Sequence, residues 1–405
     1  MSRVGLNKKT IVQVPLDGQT VLVRADYNVP LDSKGQIADD YRMQMSLPTL
    51  KNLLSRGCRV VICAHLGRPD GKPNSTYSLE PVAHHLVELL GQPVKFVSDC
   101  VGDKAMQASR RLKKGEVLLL ENLRFHPEEE ANDRQFAKSL AKASRASYFV
   151  QDGFGVVHRA HASTSAITEF LPSVAGKLLE KEVTTITRAM EKPERPLVAV
   201  LGGAKISDKI GLVERFVKIA DRVVIGGAMA NTFLTDKGVD IGASLSETDL
   251  QDVIRLIYKA AGDQTDKLIL PEDVAVGKTT DQAEPRREVE LDQIAADDKI
   301  LDIGPKTIEK VAAAVDTAKT VVWNGTLGYA ELDQFAHGSA RTALELARRR
   351  GQVESIIGGG DTADFVINWD ANHGASFSHV STGGGASLEL MAGQKLPGVE
   401  ALLDD

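Results

Sequence analysis

Short runs of β-branched and aliphatic residues recur along the chain, and longer stretches with a 3.6-residue apolar period separate them. This alternation predicts βαβ units, in which parallel strands carry helices on both faces of a sheet. The predicted strands are Thr20–Tyr27, Arg59–Leu66, Val117–Phe125, Tyr148–Phe154, Leu197–Gly203, Arg222–Ala228, Lys267–Val274, Ile300–Gly304, Thr320–Gly325, Glu354–Gly358 and Phe377–Thr382. Because one such sheet rarely carries so many strands, we predict two sheets.

The alternation is interrupted between Leu171 and Pro196, where we expect a helix and no strand. Its apolar stripe consists of Leu179, Val183, Ile186 and Met190. The sequence therefore predicts an α/β protein with two doubly wound parallel-sheet (Rossmann-like) domains, joined by an interdomain helix and a hinge; a further helix inside one domain is the alternative. The predicted limits are 1–175 for the first domain, 176–195 for the helix and 196–389 for the second domain, with 390–405 packing back on the first.

Composition bears on the cellular setting. No apolar run approaches the roughly 20 residues that span a bilayer, and the first ten residues lack the apolar core of a secretion signal. The three cysteines, Cys58, Cys63 and Cys100, show no paired spacing, which is typical of a reducing compartment. We expect a cytoplasmic protein whose thiols are buried or idle.

The distribution of charge indicates an anionic ligand in the first half. The net charge of −6 argues against nucleic acid as the main partner. Residues 1–177 nevertheless hold 24 Lys and Arg against 18 Asp and Glu, a net charge of +6, whereas residues 178–405 hold 25 against 37, a net charge of −12. Such asymmetry favours anion binding by the basic half.

Arginines follow the carboxyl ends of the predicted strands in the first half. They are Arg24, Arg42, Arg68, Arg124 and Arg159. Carboxyl ends of parallel strands share one edge, where ligands bind, and the guanidinium fork fits carboxylates and phosphates. One arginine could be a surface ion pair, but together they predict a small, multiply anionic ligand. His158 and His161 lack a third metal ligand at suitable spacing, so we expect them to form hydrogen bonds.

Glycines follow the predicted strands of the second half. They lie in Gly202–Gly203, Gly226–Gly227, Gly304–Pro305, Asn324–Gly325, Gly358–Gly360 and Gly383–Gly385. Glycines at strand–helix junctions let backbone N–H groups approach phosphate oxygens, so this pattern predicts a nucleotide site. Asp361 is then an oxygen ligand for Mg²⁺ carried by the nucleotide, or alternatively a helix N-cap.

A basic edge and a glycine-rich edge together favour phosphoryl transfer. No general base is evident, and a carboxylate acceptor would need none because it is already ionised at neutral pH. Arg42 and Lys205 are the best candidates for neutralising the transferring group. One alternative is an NAD-dependent dehydrogenase, based on the glycine pattern Gly358–Ala363; the other is a binding protein that closes on an anion.

Long segments of the chain resemble the phosphoglycerate kinases from end to end. They are RADYNVP (24–30), HLGRPDG (65–71), SLEPVA (78–83), LLLENLRFHPEEE (118–130), HRAHAST (158–164), LGGAKISDKI (201–210), WNGTLGYAE (323–331), IIGGGDTA (356–363) and SHVSTGGGASLELM (378–391). The resemblance implies reversible phosphoryl transfer from 1,3-bisphosphoglycerate to MgADP, giving 3-phosphoglycerate and MgATP. It also implies a monomer that closes about a hinge.

The resemblance further implies site residues. The 3-phosphoglycerate ligands would be Asp26, Asn28, Arg42, His65, Arg68, Arg124 and Arg159. The nucleotide ligands would be Lys205, Lys209, Asn324, Gly358, Gly359, Gly360, Asp361 and Thr362, with Glu331 on the ribose and Asp361 towards Mg²⁺. Arg42, Lys205 and the backbone at Gly359 and Gly384 would act on the transferring group.

Five positions depart from the family pattern. Tyr27 stands where Phe is usual, and Gly153 where Ala is usual. Thr326 stands where Pro is usual, and Tyr329–Ala330 replaces Val-Phe. Loss of a proline frees φ in a loop beside the predicted nucleotide site, so we expect an effect on nucleotide affinity and base preference and none on the reaction.

Overall fold

The computed structural model describes residues 5–262 and 267–405. The chain divides into a first unit, which holds the residues up to Thr184 together with Gln394–Asp405, and a second unit, Thr185–Gly393. A six-stranded parallel sheet lies at the centre of each unit. The predicted fold class, with two parallel-sheet α/β domains, is confirmed; the ligand assigned to each predicted domain stays a prediction.

The first unit has six parallel strands in the order β3-β4-β2-β1-β5-β6. The strands are β1 (Thr20–Arg24), β2 (Arg59–Cys63), β3 (Val94–Val97), β4 (Val117–Leu120), β5 (Tyr148–Gln151) and β6 (Ser173–Ala175). The helices that begin in this unit are α1 (Tyr41–Ser55), α2 (Glu80–Leu90), α3 (Gly102–Arg110), α4 (Arg134–Ser144) and α5 (Lys177–Glu191). Strand β3 was not predicted, because four residues that include the exposed Lys95 are too few to show a period.

Both faces of this sheet are buried, which explains why its strands are continuously apolar. In β1, Val21 and Val23 belong to one apolar cluster and Leu22 to another. In β4, Val117 belongs to the first of these clusters and Leu118 to the second. Successive side chains of a strand point to opposite faces, so each strand contributes to two cores.

Local signals set the ends of the helices. The stretch Leu79–Leu90 is one of those whose 3.6-residue apolar period predicts a helix, and it forms α2. This helix ends at Gly91, whose φ of 67° lies in the left-handed region. Helix α4 begins at Asp133, whose carboxylate accepts the N–H of Phe136 at 2.7 Å. In the described part of the chain, none of the helices combines the length and the apolarity needed to cross a membrane.

The segment between Leu171 and Pro196 contains the predicted helix and also an unpredicted strand. Helix α5 buries its predicted apolar stripe, Leu179, Val183, Ile186 and Met190. The expectation of no strand here is wrong, because Ser173–Ala175 pairs in parallel with β5. Three residues are too few to show a period, and only the pairing partner identifies them as a strand.

The second unit contains two sheets. Its strands are β7 (Leu197–Leu201), β8 (Arg222–Ile225), β9 (Leu268–Ile269), β10 (Asp273–Gly277), β11 (Arg287–Glu290), β12 (Lys299–Ile303), β13 (Thr320–Asn324), β14 (Glu354–Gly358) and β15 (His379–Val380). Its helices are α6 (Ile210–Ile219), α7 (Gly227–Asp236), α8 (Gln251–Ala261), α9 (Pro305–Thr317), α10 (His337–Arg348), α11 (Gly360–Trp369) and α12 (Gly385–Met391). Six strands form a parallel sheet in the order β15-β14-β13-β7-β8-β9.

The remaining strands, β10, β11 and β12, form a separate antiparallel sheet. The prediction that Ile300–Gly304 belongs to a parallel sheet is therefore wrong. The predicted strand Lys267–Val274 is divided between β9 in the parallel sheet and β10 in the antiparallel one. Both segments are apolar enough to be strands, but an apolar run does not specify which sheet it joins.

The order of the strands places one switch point in each parallel sheet. In the first unit this point lies between β1 and β5, because β2, β3 and β4 are added on one side of β1, and β5 and β6 on the other. In the second unit, β7 and β13 are the corresponding neighbours. Ligands of open α/β sheets bind beyond the carboxyl ends of the strands at such points. These two edges are where a site is expected.

The C-terminal residues complete the first unit. A short helix, α13 (Pro397–Glu400), precedes the last residues, and Lys9 N–H donates to the carbonyl of Leu403 at 2.8 Å. The Lys8 ammonium lies 2.7 Å from the carboxylate of Asp404. The first and last described residues of the chain are thus held together by backbone and charged contacts.

Asp152 joins the end of β5 to the beginning of α5. Its side chain is completely buried, and its Oδ1 accepts the N–H of Leu178 at 3.0 Å. The hydroxyl of Thr49 accepts the N–H of Lys177 at 2.8 Å beside it. Burial raises the pKa of Asp152 to about 7, although Thr49 and the helix N–H groups partly offset the shift. Folding therefore favours the protonated carboxyl.

The raised pKa of Asp152 predicts a pH-dependent stability. Since the folded protein binds this proton more tightly than the unfolded chain does, its contribution to stability is largest near pH 4 and is lost as the pH rises towards 7. We expect Asp152→Asn to remove this dependence and to leave Tm at pH 8 equal or higher, because the amide oxygen still accepts the N–H of Leu178. Thermal unfolding of both proteins between pH 5 and 8 measures this.

The exposed Asp292 gives a matched control for the same measurement. Asp292→Asn should change neither Tm at pH 8 nor the pH dependence. An Asp152→Asn protein that keeps the parent's pH dependence would contradict the assignment of a raised pKa to this carboxyl.

Candidate functional site

A buried charged network lies under the carboxyl edge of the first sheet. Arg24 is 1% exposed, so the expectation that it faces an anionic ligand is wrong. Its Nε donates to the hydroxyl of Ser163 at 2.8 Å, and its Nη2 lies 4.0 Å from the carboxylate of Glu129. Glu129 also accepts the N–H of Ser163 at 3.0 Å and its hydroxyl at 2.5 Å. Neither Glu129 nor Ser163 was predicted as part of the site.

This network fixes the protonation of His65. The Nη2 of Arg24 lies 3.2 Å from Nδ1 of His65, and a guanidinium can only donate. Nδ1 must therefore be the acceptor, which leaves the proton on Nε2. Burial, together with the charge of Arg24, holds the pKa of His65 well below its usual value. His65 is a neutral hydrogen-bond donor at this edge.

His158 and His161 are also neutral at pH 7. Burial and the nearby cations Arg24, Arg124 and Arg159 together lower the pKa of His161 to about 4. Burial and the adjacent Arg159 lower the pKa of His158. Their surroundings are cationic, which favours the binding of an anion over the binding of a metal ion.

Asp26 and Arg42 form an ion pair at the same edge. Arg42 Nη1 lies 2.9 Å from Asp26 Oδ2, and the N–H of Asn28 donates to Asp26 Oδ1 at 3.1 Å. Burial alone would raise the pKa of Asp26, but the neighbouring cations, Arg42 first, lower it to about 2. The ionised carboxylate holds the guanidinium of Arg42 in place in the first turn of α1.

One turn after β2 connects three of the predicted ligands. Asn28 Oδ1 accepts the N–H of Gly67 at 2.8 Å, and Arg124 Nη1 donates to the carbonyl of Gly67 at 2.9 Å. Gly67 has a φ of 63°, and a Cβ there would lie 2.3 Å from the ring of Tyr77. Only glycine fits this position, and the turn it makes leads directly into Arg68.

The remaining two predicted ligands of this unit are exposed. Arg68 follows the turn after β2, and Arg159 follows β5. The charge of Arg159 acts on the pKa of Arg124, whose pKa is lowered chiefly by burial. Since guanidinium groups repel one another, an arrangement of several at one edge is stabilised when an anion binds among them.

In the second unit, Lys209 lies across the switch point. Its Nζ donates to the carbonyl of Gly202 at 2.7 Å and lies 3.4 Å from the carbonyl of Asn324. Gly202 directly follows β7, and Asn324 is the last residue of β13. Burial lowers the pKa of Lys209 to about 8, although the carboxylates of Asp361 and Asp208 oppose the shift. A phosphate bound here would favour the charged form.

The glycines of this edge fall into two groups. A Cβ on Gly202 would lie 2.0 Å from the carbonyl oxygen of Thr326, and one on Gly325 would lie 2.1 Å from the carbonyl oxygen of Gly202. These two glycines let neighbouring loops approach each other. At Gly360 and Gly384, in contrast, a Cβ would meet no atom within 4 Å, so open space lies beside their backbone.

One predicted member of the glycine group lies elsewhere. Gly304 precedes α9 and follows a strand of the antiparallel sheet, and a Cβ there would lie 2.3 Å from the carboxylate carbon of Asp273. Asp273 accepts the N–H groups of Lys306 and Thr307, both at 2.9 Å. The expectation that Gly304 belongs to the same glycine-rich edge is wrong, because its role is to admit this helix cap.

Hydroxyl groups connect the loops around Asn324. Thr362 Oγ1 accepts the N–H of Gly325 at 2.6 Å, which ties the loop after β13 to the first turn of α11. Ser387 accepts the N–H of Gly359 at 3.3 Å and donates to the carbonyl of Gly384 at 2.8 Å. Among the described residues, the buried Nδ2 of Asn324 has no hydrogen-bond partner. Ser387 was assigned no role from the sequence.

Lys205 is exposed in the loop after β7. Glu247 supports this loop, because its carboxylate accepts the N–H of Ile206 at 2.7 Å and that of Ser207 at 3.1 Å. Glu247 lies about 40 residues away and was not predicted. The backbone of the loop is thus held while the ammonium of Lys205 remains in solvent.

A cavity of about 350 Å³ lies beside these loops in the second unit. Its apolar wall includes Leu245, Ile300 and Leu327. Glu331 and Asp361 also line it. This volume and this mixture of an apolar wall with a few polar groups are typical of a small-molecule site. Ile300 belongs to β12, so the antiparallel sheet forms part of the wall.

Comparison with known proteins identifies the family to which the chain belongs. The family model described as phosphoglycerate kinase matches residues 11–394. The chain belongs to the phosphoglycerate kinase family. Phosphoglycerate kinase of Chloroflexus aurantiacus is 48% identical over 402 residues, covering 98% of this chain and 100% of the relative. That of Pelotomaculum thermopropionicum is 46% identical over 397 residues, covering 98% and 99%.

Solved structures agree with this assignment. Phosphoglycerate kinase from Coxiella burnetii superposes with a TM-score of 0.83 at 35% identity, covering 97% of this chain and 98% of that one. The enzyme from Pyrococcus horikoshii gives a TM-score of 0.82 at 31% identity, with the same coverage. The chain is therefore a phosphotransferase with a carboxyl group as acceptor, and it transfers a phosphoryl group reversibly between 1,3-bisphosphoglycerate and ADP in glycolysis.

The two alternatives from the sequence do not hold. A dehydrogenase and a non-enzymatic binding protein are both excluded by membership of the phosphoglycerate kinase family. The glycine pattern that suggested a dinucleotide lies at the junction of β14 and α11, where Gly359 has a φ of 89°. Such a junction suits any phosphate and does not by itself specify a dinucleotide.

Two departures from the family pattern have a structural explanation. The hydroxyl of Tyr27, at a position where phenylalanine is usual, is buried and lies 3.1 Å from Ser46 Oγ. Ser46 itself donates to the carbonyl of Met43, so it can accept from Tyr27. At Gly153 a Cβ would lie 3.2 Å from the backbone N of Asp26, so glycine relieves a tight contact at the switch point.

The network under the first edge predicts a loss of stability in Glu129→Gln. The substitution preserves shape but leaves Arg24 buried without its anionic partner, and breaking a buried pair costs about 3–5 kcal/mol. We expect the free energy of unfolding of the first unit, measured by urea titration, to fall by roughly that amount. The neighbouring Glu128 is exposed, so Glu128→Gln should change it by less than about 0.5 kcal/mol. Equal effects of both substitutions would refute the role of Glu129.

Proposed function

We propose that the first unit binds 3-phosphoglycerate and 1,3-bisphosphoglycerate at the carboxyl edge of its sheet. The proposed ligands are Asp26, Asn28, Arg42, His65, Arg68, Arg124 and Arg159. The observation that carries this proposal is the convergence of guanidinium groups and a neutral imidazole donor around one edge. A ligand with one carboxyl and one or two phosphate groups carries enough negative charge to neutralise these guanidinium groups and enough oxygen atoms to accept their hydrogen bonds.

The second unit binds ADP and ATP. Lys205, Lys209, Asn324 and the turn Gly358–Thr362 contact the phosphates, and the cavity accepts the base and the ribose, with Glu331 on the ribose. Support comes from the unpartnered Nδ2 of Asn324 and from the open space beside Gly360. A buried donor without a partner is costly, and a phosphate oxygen would satisfy it.

Asp361 directs its carboxylate towards Mg²⁺ that arrives with the nucleotide. Asp361 is exposed, lines the cavity and acts electrostatically on Lys209. A single carboxylate fits an ion whose other ligands are phosphate oxygens and water. When bound, Mg²⁺ neutralises charge on the phosphates.

Transfer requires positioning and charge neutralisation and no general base, since the accepting carboxylate is ionised at neutral pH. Arg42 and Lys205 supply positive charge to the transferring group. The backbone N–H groups at Gly359 and Gly384 supply fixed dipoles, and both residues have positive φ, which other residues rarely adopt. Preorganised donors of this kind stabilise developing charge without rearrangement.

The protein acts as a cytoplasmic monomer. Cys58, Cys63 and Cys100 are free, which suits a reducing compartment. Within the described residues, the large exposed apolar side chains are separated along the chain, at Val12, Leu245, Leu256, Tyr329, Leu344 and Leu403. Closure about a hinge stays a prediction, and the net charge of −6 gives no support to nucleic acid as a partner.

A coupled assay with 3-phosphoglycerate and MgATP tests the assignment. We expect turnover that depends on both substrates and on Mg²⁺. Replacing 3-phosphoglycerate by glycerate, which lacks the phosphate, should abolish turnover at the same concentration. Equal rates with glycerate would contradict the proposed role of the arginine-rich edge.

Arg42→Ala and Lys205→Ala should each lower kcat by orders of magnitude while 3-phosphoglycerate binding stays within about tenfold. One donor to developing charge contributes roughly 3 kcal/mol to the transition state. Steady-state kinetics and direct binding measurements separate the two effects. Arg111 and Lys218 are exposed in the respective units, and their alanine variants should behave as the parent protein does. A kcat within threefold of the parent's would remove that residue from the mechanism.

Thr326→Pro should keep activity and bind MgADP equally well or up to about fivefold more tightly. The N–H of Thr326 makes no hydrogen bond within the described residues, so replacing it by proline breaks none. Proline also restricts the loop before binding, which lowers the entropic cost of ordering it by about 0.4–1 kcal/mol. Calorimetric titration measures the Kd. Thr326→Ala removes the side chain without fixing φ and should leave the Kd unchanged. A clear weakening by proline alone would show that the loop requires a φ that proline cannot adopt.

A further inference from the structure

A cluster of metal-ligating side chains lies on the β3 side of the carboxyl edge of the first sheet, in a cavity that none of the proposed 3-phosphoglycerate ligands lines. Asp99 and Cys100 follow β3, and His126 follows β4. These strands are parallel neighbours with Val97 opposite Leu120, so their carboxyl ends bring the three residues together. One ligand atom from each of them lies within 4.8 Å of the other two, and among the described residues no other group of three or more His, Cys, Asp and Glu side chains does so.

The distances suit a tetrahedral ion. His126 Nε2 lies 3.2 Å from Asp99 Oδ1. Two nitrogen or oxygen ligands of a tetrahedral zinc ion, at bond lengths of about 2.0–2.1 Å, lie about 3.4 Å apart. The three ligand atoms lie within 4.8 Å of one another, so the wider separations have to shorten by up to about 1 Å. Side-chain rotation can supply this because His126 and Asp99 are 32% and 38% exposed.

The three side chains are already oriented. Asp99 Oδ1 accepts the N–H of Cys100 at 2.8 Å, which leaves Oδ2 without a hydrogen bond in the described chain. The ring of His126 packs against Phe136, with centroids 5.2 Å apart. Cys100 is a free thiol, and it lines the cavity with Asp99 and His126. The cavity, of about 540 Å³, has room for a water molecule as a fourth ligand.

We propose that Asp99, Cys100 and His126 form a binding site for a divalent transition-metal ion of the zinc class. A thiolate, an imidazole and a carboxylate are ligands that zinc accepts together, whereas Mg²⁺ prefers oxygen ligands alone. Binding forms a metal–sulfur bond and breaks the S–H bond of Cys100, and the proton passes to the buffer. This site is distinct from the nucleotide-borne Mg²⁺ proposed at Asp361.

The proposal is tested by titrating the reduced, metal-free protein with Co²⁺ alone. We expect one equivalent to give visible bands of a tetrahedral ion and a near-ultraviolet sulfur-to-cobalt charge-transfer band. Zn²⁺ should abolish both, and the same concentration of Mg²⁺ should not. Absence of the charge-transfer band, or its persistence in excess Zn²⁺, would overturn the proposal.

Variants locate the site. Cys100→Ser should remove the charge-transfer band, and His126→Ala and Asp99→Asn should each weaken Co²⁺ binding by more than about tenfold. Cys58→Ser and the exposed His84→Ala are matched controls and should bind as the parent does. His126 is partly exposed, so its variant remains folded and informative even if Cys100→Ser is unstable. A band retained in Cys100→Ser, or unchanged affinity in His126→Ala, would place the metal elsewhere.

Discussion

The arrangement of the first edge depends on the pairing of Arg24 with Glu129 in the interior. Both side chains are almost completely buried, and each would be costly alone. Together with Ser163 they hold the loop after β5 against the end of β1. Because Arg24 donates towards His65, the same pair determines which nitrogen of that imidazole carries the proton. A buried contact thus sets the hydrogen-bonding character of the surface proposed to bind substrate.

The second edge is organised in a different way. There the loops are held by backbone contacts that glycine permits, by the hydroxyls of Thr362 and Ser387, and by Lys209 between two carbonyl groups. Few of these groups are charged, so the edge presents N–H dipoles and the ammonium groups of Lys205 and Lys209. Such a surface suits a polyphosphate, whose charge is spread over many oxygens. The first edge, with fixed guanidinium groups, suits a compact anion.

Much of the fold could be predicted because apolar runs and helical periods are local signals. The parallel strands with buried faces and helices α2 and α5 follow directly from them. What could not be predicted depends on partners distant in sequence. Ser173–Ala175 is a strand only because β5 lies beside it, and Ile300 joins an antiparallel sheet because β10 pairs with it. Arg24 was expected to contact an anionic ligand, because a sequence motif does not show whether a side chain is buried.

The wall of the cavity in the second unit contains part of the small antiparallel sheet, whereas the proposed phosphate contacts come from the ends of the parallel strands. These two parts of the cavity are therefore encoded by separate stretches of chain. Substitutions in β12 or near Leu245 can reshape the space for a base while Lys209 and Asn324 keep their backbone partners. Such a division allows the space for a base to change without changing the groups proposed to act in the transfer.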